Sequence, residues 1–241
     1  MEKELTILMP CLNEENTITE CINSAYRFIN ESKIDAEILI VDNGSTDNSL
    51  EAASYMGVRV VVEENKGYGN ALKKGIEEAY GKYVVMGDCD MSYDFTELSP
   101  FIERLKNGDD LVIGDRFGGK IEKDAMSWTH RYIGNPLLSL LGRILSGSRV
   151  RDFNCGLRGF NRNSIKRLNL MTEGMEFATE MIFKAQKAGY KVSDVPITLY
   201  RDRRGGPSHL NTIRDGFRII DYMFRERGEN CYASKKKITQ S

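Results

Sequence analysis

Two carboxylates separated by one residue are the feature of this sequence with the clearest chemistry. Asp88 and Asp90 follow an apolar run at residues 82–86 that has the character of a buried strand. Side chains at i and i+2 beyond a strand can point together at a hard cation, and Mg²⁺ and Mn²⁺ prefer such oxygen ligands, often completed by substrate phosphates. The alternative is a helix cap ahead of Thr96 and Glu97. We predict a divalent-cation site at Asp88 and Asp90.

Two further polar loops follow apolar runs in the first half of the chain. One begins at Asn13 after the run at residues 5–9, and the other begins at Asp42 after the run at residues 37–41. Taken singly, such loops are ordinary turns, because Asn, Asp, Gly and Ser are the residues of which turns are made. In an open parallel sheet, however, ligands bind beyond the carboxyl ends of the strands. Three polar loops at one edge therefore predict a shared binding crevice.

A phosphate-bearing ligand in that crevice would need cationic partners. Individually, Lys and Arg side chains are most often solvated surface groups. We therefore consider them for phosphate contact only in combination with the acidic pair. The candidates are Lys66, Arg116, Arg131, Arg201, Arg203 and Arg204.

The elements that would position these residues alternate along the first half of the chain. Predicted strands lie at residues 5–9, 37–41, 58–62, 82–86 and 110–113. Predicted helices lie at about residues 17–30, 49–56, 70–80 and 97–106. This alternation implies right-handed crossovers. We predict an α/β, Rossmann-like fold with a mostly parallel central sheet and helices on both faces.

The second half of the chain is less regular. The fifth strand is expected to end at residue 113, and residues 118–129 are polar. The remaining predicted elements are a helix at 131–145, a strand at 156–160, a helix at 177–188, a strand at 191–200, a basic Gly-rich loop at 201–208 and a helix at 210–225. We predict a single domain over residues 1–227 and a flexible tail over residues 228–241.

The composition argues against several classes of protein. The chain has 241 residues, of which 34 are basic and 35 acidic, and the net charge of −1 gives no indication of a nucleic-acid partner. No apolar run reaches the roughly 18 residues that a membrane span needs. Five scattered cysteines without a Cys-x-x-Cys pair fit reduced thiols, so we expect a cytoplasmic protein.

Four motifs occur in an order that resembles the family 2 inverting glycosyltransferases with the GT-A fold. They are Pro10-Cys11-Leu12-Asn13-Glu14-Glu15, Val41-Asp42-Asn43-Gly44-Ser45-Thr46-Asp47, Asn65-Lys66-Gly67-Tyr68-Gly69-Asn70-Ala71 and Asp88-Cys89-Asp90. The second half is similar to the polyprenyl-phosphate (dolichol-phosphate) sugar synthase branch, at residues 114–117, 152–160 and 174–181. Many members of that branch carry hydrophobic helices after the catalytic domain, and no such run is present here. The resemblance extends from about residue 5 to residue 225.

The resemblance implies a role for each of the polar loops. In a nucleotide-sugar-binding half, at about residues 1–115, the base and ribose would be held by Pro10, Leu12, Asn13, Glu14 and Asp42. The residues that would close over the donor are Asn43, Lys66, Gly69 and Asn70, and Cys89 would also bind the nucleotide sugar. Asp88 and Asp90 would hold Mg²⁺ or Mn²⁺. In an acceptor half, at about residues 116–227, the diphosphate or an anionic acceptor would be bound by Arg116, Arg131, Arg201, Arg203, Arg204 and Ser208.

Glu180 is the acid that the resemblance indicates as a general base, with Glu176 nearby. An acid often lies two residues before this glutamate in the superfamily, and here that position is Ala178. A phosphate monoester oxygen, however, is already ionised at neutral pH and can attack an anomeric carbon without losing a proton. Two mechanisms stay open at this point, one with Glu180 as the base and one that needs no base.

The resemblance thus implies a metal-dependent inverting glycosyltransferase that uses a nucleotide sugar, with UDP-linked donors slightly preferred over GDP-mannose. The expected acceptor is a polyprenyl phosphate, and a soluble hydroxyl acceptor is the alternative. A nucleotidyltransferase is less favoured because it needs a basic Gly-rich loop where residues 10–15 stand. A non-catalytic nucleotide-sugar-binding protein could lose the metal pair, which is present here. A nicotinamide dehydrogenase is disfavoured because Gly67-Tyr68-Gly69 follows the third predicted strand, not the first.

Two amphipathic stretches bear on contact with a membrane. Apolar side chains lie beside arginines in both, and we favour core packing over insertion into the surface of a bilayer as the reason. Peripheral contact with the cytoplasmic face of a membrane is left open. The apolar residues are Leu137, Leu138, Leu140, Leu141, Ile144 and Leu145 in the first stretch, and Ile213, Phe217, Ile220 and Phe224 in the second.

Overall fold

Buried apolar runs form the strands of a central sheet. The computed structural model describes residues 2–205 and 212–238 of the chain. In these residues the strands are β1 (Lys3–Cys11), β2 (Ala36–Asp42), β3 (Arg59–Val62), β4 (Gly81–Met86), β5 (Leu111–Ile121), β6 (Arg158–Asn161) and β7 (Val192–Leu199).

The order of the strands across the sheet is β3-β2-β1-β4-β6-β5-β7. β1 runs parallel to β2 and β4, β2 runs parallel to β3, and β5 runs parallel to β7, whereas β6 is antiparallel to both of its neighbours. The predicted mostly parallel sheet is therefore confirmed. Because β1, β2 and β4 point the same way, the loops that follow them leave the same edge of the sheet.

The centre of the sheet is covered on both faces. Residues 5–9 of β1 are fully buried. Successive side chains of a strand point to opposite faces, so a continuous buried run requires helices on each side. The helices are α1 (Ile18–Ser32), α2 (Ser49–Tyr55), α3 (Tyr68–Glu78), α4 (Ser99–Lys106), α5 (Asn135–Ser146), α6 (Arg162–Arg167), α7 (Phe177–Lys187) and α8 (Thr212–Ile238). A π-helical turn at His130–Gly134 leads directly into α5.

β5 is longer than the sequence predicted. The strand was expected to end at residue 113, but it continues to Ile121, and Lys120 pairs with Thr198 of β7 after an irregularity that follows Asp115. Gly119 permits this pairing, because a Cβ atom there would stand 2.0 Å from the carbonyl oxygen of Ile197. The polar residues therefore belong to an irregular strand pair, not to a loop.

Two helices also differ from the sequence expectation. The short helix α6 was not predicted, although its first turn has a local signal, since the Asn161 side chain accepts hydrogen bonds from the backbone N–H groups of Asn163 and Ser164. α8 continues to Ile238, beyond the residue 225 at which the predicted helix ended. The division into a domain and a flexible tail stays a prediction. In the described part of the chain, no helix is both long enough and apolar enough to cross a bilayer.

Candidate functional site

Asp88 and Asp90 leave the carboxyl end of β4 in different surroundings. Tyr68 donates its hydroxyl to Asp88 Oδ1 at 3.0 Å. Ser92 donates its backbone N–H (2.9 Å) and its hydroxyl (2.5 Å) to Asp90 Oδ1, which fixes the rotamer of that carboxylate. The helix cap that the sequence left open is not formed by a side chain: α4 begins at Ser99 without a side-chain cap, and Asp94 accepts hydrogen bonds from Thr96 in the turn before it. The pair is therefore free of that structural duty.

Two carboxyl groups at this edge have raised pKa values. Burial, followed by the nearby charge of Asp90, raises the pKa of Asp88 to about 7. Burial also raises the pKa of Glu14 to about 7, although the positive charge of Arg204 acts in the opposite direction. Burial, the larger cause for both groups, disfavours their charged form, and a cation bound beside them would favour it.

Arg204 is the cation that the structure brings to this edge. Its Nη2 lies 2.6 Å from Asp90 Oδ2, its Nη1 lies 3.4 Å from Glu14 Oε1, and its Nε lies 2.9 Å from Asp202 Oδ2. The backbone N–H of Arg203 donates to the carbonyl oxygen of Asp90 at 3.0 Å, so the segment is also anchored through its main chain. The predicted basic loop thus reaches the acidic pair. Of its other members, Arg201 and Arg203 are exposed, and Ser208 lies outside the described residues.

The side chains present could bind a divalent cation whose coordination shell is completed by other ligands. Carboxylate oxygens are the donors that Mg²⁺ and Mn²⁺ prefer. Among residues 2–205 and 212–238, no group of three or more His, Cys, Asp or Glu is arranged to hold a metal by itself. Asp88 and Asp90 would therefore supply only part of the shell, and phosphate or water oxygens would have to supply the rest.

The first two loops are locked to each other. Asn13, at a positive φ of 55°, accepts a hydrogen bond from the Thr46 backbone N–H at 2.8 Å through its side-chain oxygen. Glu14 donates its backbone N–H to the hydroxyl of Ser49 at 2.7 Å. Ahead of Asn13, the half-buried Leu12 follows the end of β1. These contacts hold the predicted base-binding loop rigidly at the edge of the sheet.

Asp42 and Asn43 hold the second loop in its conformation through hydrogen bonds. Asp42 accepts hydrogen bonds from the backbone N–H groups of Gly44 and Ser45 at 3.1 to 3.3 Å. Asn43 donates its side-chain amide to two carbonyl oxygens beyond β3 and accepts a bond from the Gly67 N–H at 2.7 Å. Both residues therefore shape the crevice, and any contact with a ligand is additional to that role.

The glycine-rich turn at the start of α3 packs against residues 172–173. Gly69 donates its N–H to the carbonyl oxygen of Glu173 at 2.8 Å, and a Cβ atom on Gly69 would lie 2.5 Å from the carbonyl oxygen of Thr172. Glycine is required there by this close approach. Lys66 is exposed beside the turn, and Asn70 donates to the Lys66 carbonyl oxygen at 3.2 Å.

Cys89 points away from the crevice. Its thiol is buried and donates to the carbonyl oxygen of Pro10 at 3.1 Å, which ties the β4 loop to the end of β1. The thiol is engaged in this contact, and the predicted binding of the nucleotide sugar by Cys89 stays a prediction.

Glu180 is committed to a structural role, which argues against its use as a base. It is 1% exposed and accepts hydrogen bonds from the backbone N–H groups of Met171 and Thr172, both at 2.8 Å, and from the Thr172 hydroxyl at 2.5 Å. Lys184 lies 2.7 Å from the carboxylate. Burial acts to raise the pKa of Glu180, but the bonds to Lys184 and Thr172 outweigh it and lower the pKa. Glu180 thereby fastens the segment against which the glycine turn packs.

This role predicts a pH-dependent loss of stability in Glu180→Gln. We expect the free energy of unfolding to fall by about 1 to 3 kcal/mol at pH 7. The folded-state pKa is depressed, so the stabilisation is present above the ordinary value of 4.5 and is lost as the pH falls through the folded-state pKa. Urea unfolding at pH 7 and pH 4 measures this difference. Glu103→Gln, on the exposed side of α4, is the matched control, and an equal loss at both pH values would contradict the assignment.

Arg116 and Arg131 occupy distinct environments. Arg116 is buried and makes a two-pronged ion pair with Asp152, with Nε to Oδ2 at 2.6 Å and Nη2 to Oδ1 at 2.8 Å. Its charge acts against the net rise in the pKa of Asp88. Arg131 lies on the π-helical turn, half-buried, with its guanidinium 5.4 Å from the ring centre of Tyr132.

Three residues of the site were not singled out from the sequence. Tyr68 holds Asp88, Asp152 holds Arg116, and Asp202 shares Arg204. Each lies inside a motif or loop that the sequence did identify, so the local signal was present. The sequence did not predict which residues contact each other. For example, 36 residues separate Arg116 from Asp152, and short-range patterns do not reveal such contacts.

Comparison with known proteins identifies the family. The sequence profile of Glycosyl transferase family 2 matches residues 6–168. This chain belongs to glycosyl transferase family 2. The resemblance that the four motifs indicated is thereby confirmed.

Two curated relatives of this family 2 chain come from Haloferax volcanii. The chain is 35% identical over 220 residues to the low-salt glycan biosynthesis hexosyltransferase Agl6, covering 91% of the chain and 52% of that protein. The chain thus spans about half the length of that relative. It is 32% identical over 202 residues to a dolichyl-phosphate hexose transferase, covering 84% of the chain and 85% of that protein.

Solved structures confirm the predicted GT-A fold of the family 2 chain. Glucosyl-3-phosphoglycerate synthase from Mycobacterium tuberculosis, in complex with Mn²⁺, UDP and glucosyl-3-phosphoglycerate, superposes with a TM-score of 0.74 at 20% identity, covering 94% of this chain and 80% of that one. The same synthase with Mg²⁺ and UDP gives a TM-score of 0.71 at 21% identity, again covering 94% and 80%. At this level of identity the likeness establishes the fold alone.

Proposed function

We propose that this chain is a metal-dependent inverting glycosyltransferase that moves a sugar from a nucleotide-sugar donor to a polyprenyl phosphate. The observation that carries the proposal is the pair Asp88 and Asp90 beyond the carboxyl end of β4, where the guanidinium of Arg204 lies 2.6 Å from Asp90 Oδ2. The Haloferax dolichyl-phosphate hexose transferase supports the lipid-phosphate acceptor. The synthase crystallised with UDP supports a UDP-linked donor over GDP-mannose.

The donor half of the proposal uses the loops that follow β1, β2 and β4. Mg²⁺ or Mn²⁺ held by Asp88 and Asp90 would supply positive charge to the departing nucleoside diphosphate. The interlocked loops would present the base and ribose with a preformed surface, so little ordering free energy is lost when the donor binds. In this division, residues 1–115 bind the donor and residues 116–227 bind the acceptor. The proposed donor contacts are Pro10, Leu12, Asn13, Glu14, Asp42, Lys66 and Asn70.

The acceptor half of the proposal needs no general base. A phosphate monoester oxygen is already ionised and can attack the anomeric carbon directly. Glu180 is occupied by four hydrogen-bond and ion-pair contacts, which is consistent with a mechanism that does not use it. Catalysis would then rest on alignment of the reactants by Arg116 and Arg131 and on exclusion of water by the segment that carries Arg204.

The outer face of α5 supports contact with the cytoplasmic surface of a membrane. Core packing, the favoured explanation from the sequence, holds only for Leu138, Leu141 and Leu145, which pack against the core. The adjacent side of the same helix exposes Leu137 (60%) and Ile144 (63%). An apolar side chain left in water forgoes about 1.5 to 3 kcal/mol of burial free energy. The exposed set, called the outer apolar surface, is Trp128, Tyr132, Ile133, Leu137, Leu140 and Ile144 on and before α5, and Ile213, Phe217 and Phe224 on α8.

Charges placed on the outer apolar surface should weaken binding to vesicles. We expect the double variant Leu137→Glu and Ile144→Glu to bind anionic phospholipid vesicles at least about tenfold more weakly than the wild type, because two inserting side chains become anionic. Sedimentation with sucrose-loaded vesicles measures the bound fraction. Tyr55→Glu is the control, since Tyr55 is 91% exposed at the end of α2. Equal binding of vesicles by all three proteins would exclude the outer apolar surface as the membrane contact.

The proposed activity is tested by a transfer assay. The protein is incubated with a panel of UDP- and GDP-sugars, with and without a polyprenyl phosphate and Mn²⁺, and radiolabelled sugar is followed into the lipid phase. We expect transfer from a UDP-sugar that requires both the lipid phosphate and the metal. Transfer to soluble hydroxyl acceptors alone would overturn the acceptor assignment and leave the family intact.

A further inference from the structure

Arg204 sits between carboxylates that come from three separate places in the fold. Glu14 belongs to the loop after β1, Asp90 to the loop after β4, and Asp202 to the same segment as Arg204 itself. All of the central contacts are sheltered, since the side chains of Arg204, Glu14 and Asp90 are 11%, 7% and 10% exposed. One positive charge is therefore shared by three acids in a region with little water to screen them.

The fit of the guanidinium to these acids is incomplete. Its Nε lies 2.9 Å from Asp202 Oδ2 but has no aligned hydrogen-bond partner among the described residues. Its contact with Glu14 is long, at 3.4 Å. Only the bond to Asp90 Oδ2, at 2.6 Å, is close and well directed. A single guanidinium thus leaves negative charge uncompensated, and a small divalent ion would compensate it better.

The oxygen that Arg204 bonds is the one left for a metal. Asp90 Oδ1 already accepts two hydrogen bonds from Ser92, so Oδ2 is the oxygen free to face a ligand. A cation bound to Oδ2 would stand next to the guanidinium and repel it. Gly205 follows Arg204 at a φ of 79°, a left-handed conformation that favours glycine and lets the chain turn sharply at this point.

We propose that Arg204 is the resident counter-ion of the donor site, which occupies the acidic edge until a divalent cation and a nucleotide displace it. This inference rests on the proposed function, because it takes Asp88 and Asp90 as the metal site. In the absence of donor, the ion pairs of Arg204 would hold the segment at residues 201–205 over the acidic edge. The backbone bond from Arg203 to the Asp90 carbonyl and the bond from the Asn16 side chain to the Arg204 carbonyl oxygen anchor the segment on either side.

The inference predicts that removal of Arg204 tightens binding of the metal alone. Mn²⁺ is titrated without nucleotide, and the free ion is followed by electron paramagnetic resonance. We expect Arg204→Ala to lower the Kd for Mn²⁺ by about tenfold or more, since a competing positive charge is lost from the acidic edge. Arg143→Ala is the control: it removes the same charge from an exposed side chain on α5 and should stay within about twofold of the wild type.

Thermal unfolding separates this effect from a general loss of structure. Without metal, Arg204→Ala should have a lower Tm than the wild type, because the acids then repel one another. Saturating Mn²⁺ should raise the Tm of Arg204→Ala by more than it raises the Tm of the wild type. The reason is that the variant is expected to bind Mn²⁺ more tightly, and tighter binding stabilises the folded state more. Arg204→Lys keeps a positive charge without the planar fork and should fall between the two in both assays.

The outcomes distinguish this inference from the proposed function. Wild type and Asp90→Asn are also titrated with Mn²⁺ in the presence of UDP. If the wild type binds Mn²⁺ with UDP and Asp90→Asn does not, the metal site stands, and an unchanged or weaker Mn²⁺ affinity of Arg204→Ala then overturns the counter-ion role alone. If Asp90→Asn binds Mn²⁺ and UDP as the wild type does, both the metal site and the inference built on it are overturned.

Discussion

Asp90→Asn should reduce the rate of sugar transfer by about 10²- to 10³-fold at saturating donor, the usual cost of removing one preorganised electrostatic contact with a developing charge. Asn keeps the shape of the side chain and an oxygen that can still accept the two hydrogen bonds from Ser92, so the loop should hold its conformation. What is lost is the negative charge on Oδ2. Initial rates measured across a range of Mn²⁺ concentrations should show both the lower maximum and a weaker dependence on the metal.

Glu97→Gln is the control for this experiment. Glu97 is an exposed acid between β4 and α4, so its neutralisation changes the net charge of the protein by the same amount without touching the acidic pair. Its rate should stay within about twofold of the wild type, as expected for an exposed charge. If Asp90→Asn matches the wild type in rate and in metal dependence, the assignment of Asp90 to the metal site is wrong.

The parts of the fold that the sequence predicts well are those set by local periodicity. Residues 5–9 and 38–41 are buried on both faces of the sheet, and a run of this kind is typical of a central parallel strand. The polar loops after them then have to meet at one edge, because the strands are parallel. Hence the sequence alone predicts that the loops carrying Asn13, Asp42 and Asp88 leave the same edge of the sheet.

The continuation of β5 shows where local pattern fails. Residues 114–121 contain three glycines and three charged residues that propensity assigns to a loop. They form a strand because β7 lies alongside and Gly119 permits a close approach of the two backbones. That partner is about 80 residues away in sequence, and only the tertiary structure supplies it. Tertiary pairing here overrides composition.

The roles of Glu180 and Arg204 were hidden for the same reason. Glu180 has the residue type of a base, but its backbone donors at residues 171 and 172 come from a segment whose path the sequence does not specify. Arg204 is 114 residues from Asp90, so nothing local connects the predicted phosphate-binding arginine with the acid that it contacts. Residue types were sufficient to propose the site, whereas the contacts within it were not predictable.

α5 illustrates a different ambiguity. Its apolar residues lie on more than one side of the helix, and periodicity alone cannot tell which side meets the core. The structure buries the side of Leu138 and Leu141 and exposes the side of Leu137 and Ile144. The half-buried Arg131 lies on the turn that leads into this helix. A cation therefore stands at one end of the outer apolar surface, where the phosphate of an inserted lipid would need a partner.

Arg131→Ala should raise the apparent KM for polyprenyl phosphate or lower kcat by at least about tenfold, as expected when a charge-assisted hydrogen bond to an anion is lost. Binding of UDP, measured by calorimetry, should stay nearly unchanged. Arg143→Ala is the matched control, since Arg143 is exposed on the same helix about 18 Å further along. Its kinetics with the lipid phosphate should resemble those of the wild type.

Glu180→Gln, assayed with the same acceptor, decides between the two mechanisms left open by the sequence. An ionised phosphate oxygen needs no proton removal, so this variant should lose only a modest part of its rate, through weaker packing of residues 171–172 against the glycine turn. With a hydroxyl acceptor, Glu180→Gln should instead be impaired more severely than Arg131→Ala, because loss of a general base costs about 10² to 10⁴ in rate. A severe defect of Glu180→Gln beside a mild defect of Arg131→Ala would therefore exclude the lipid-phosphate mechanism, even if the Asp90 experiment succeeds.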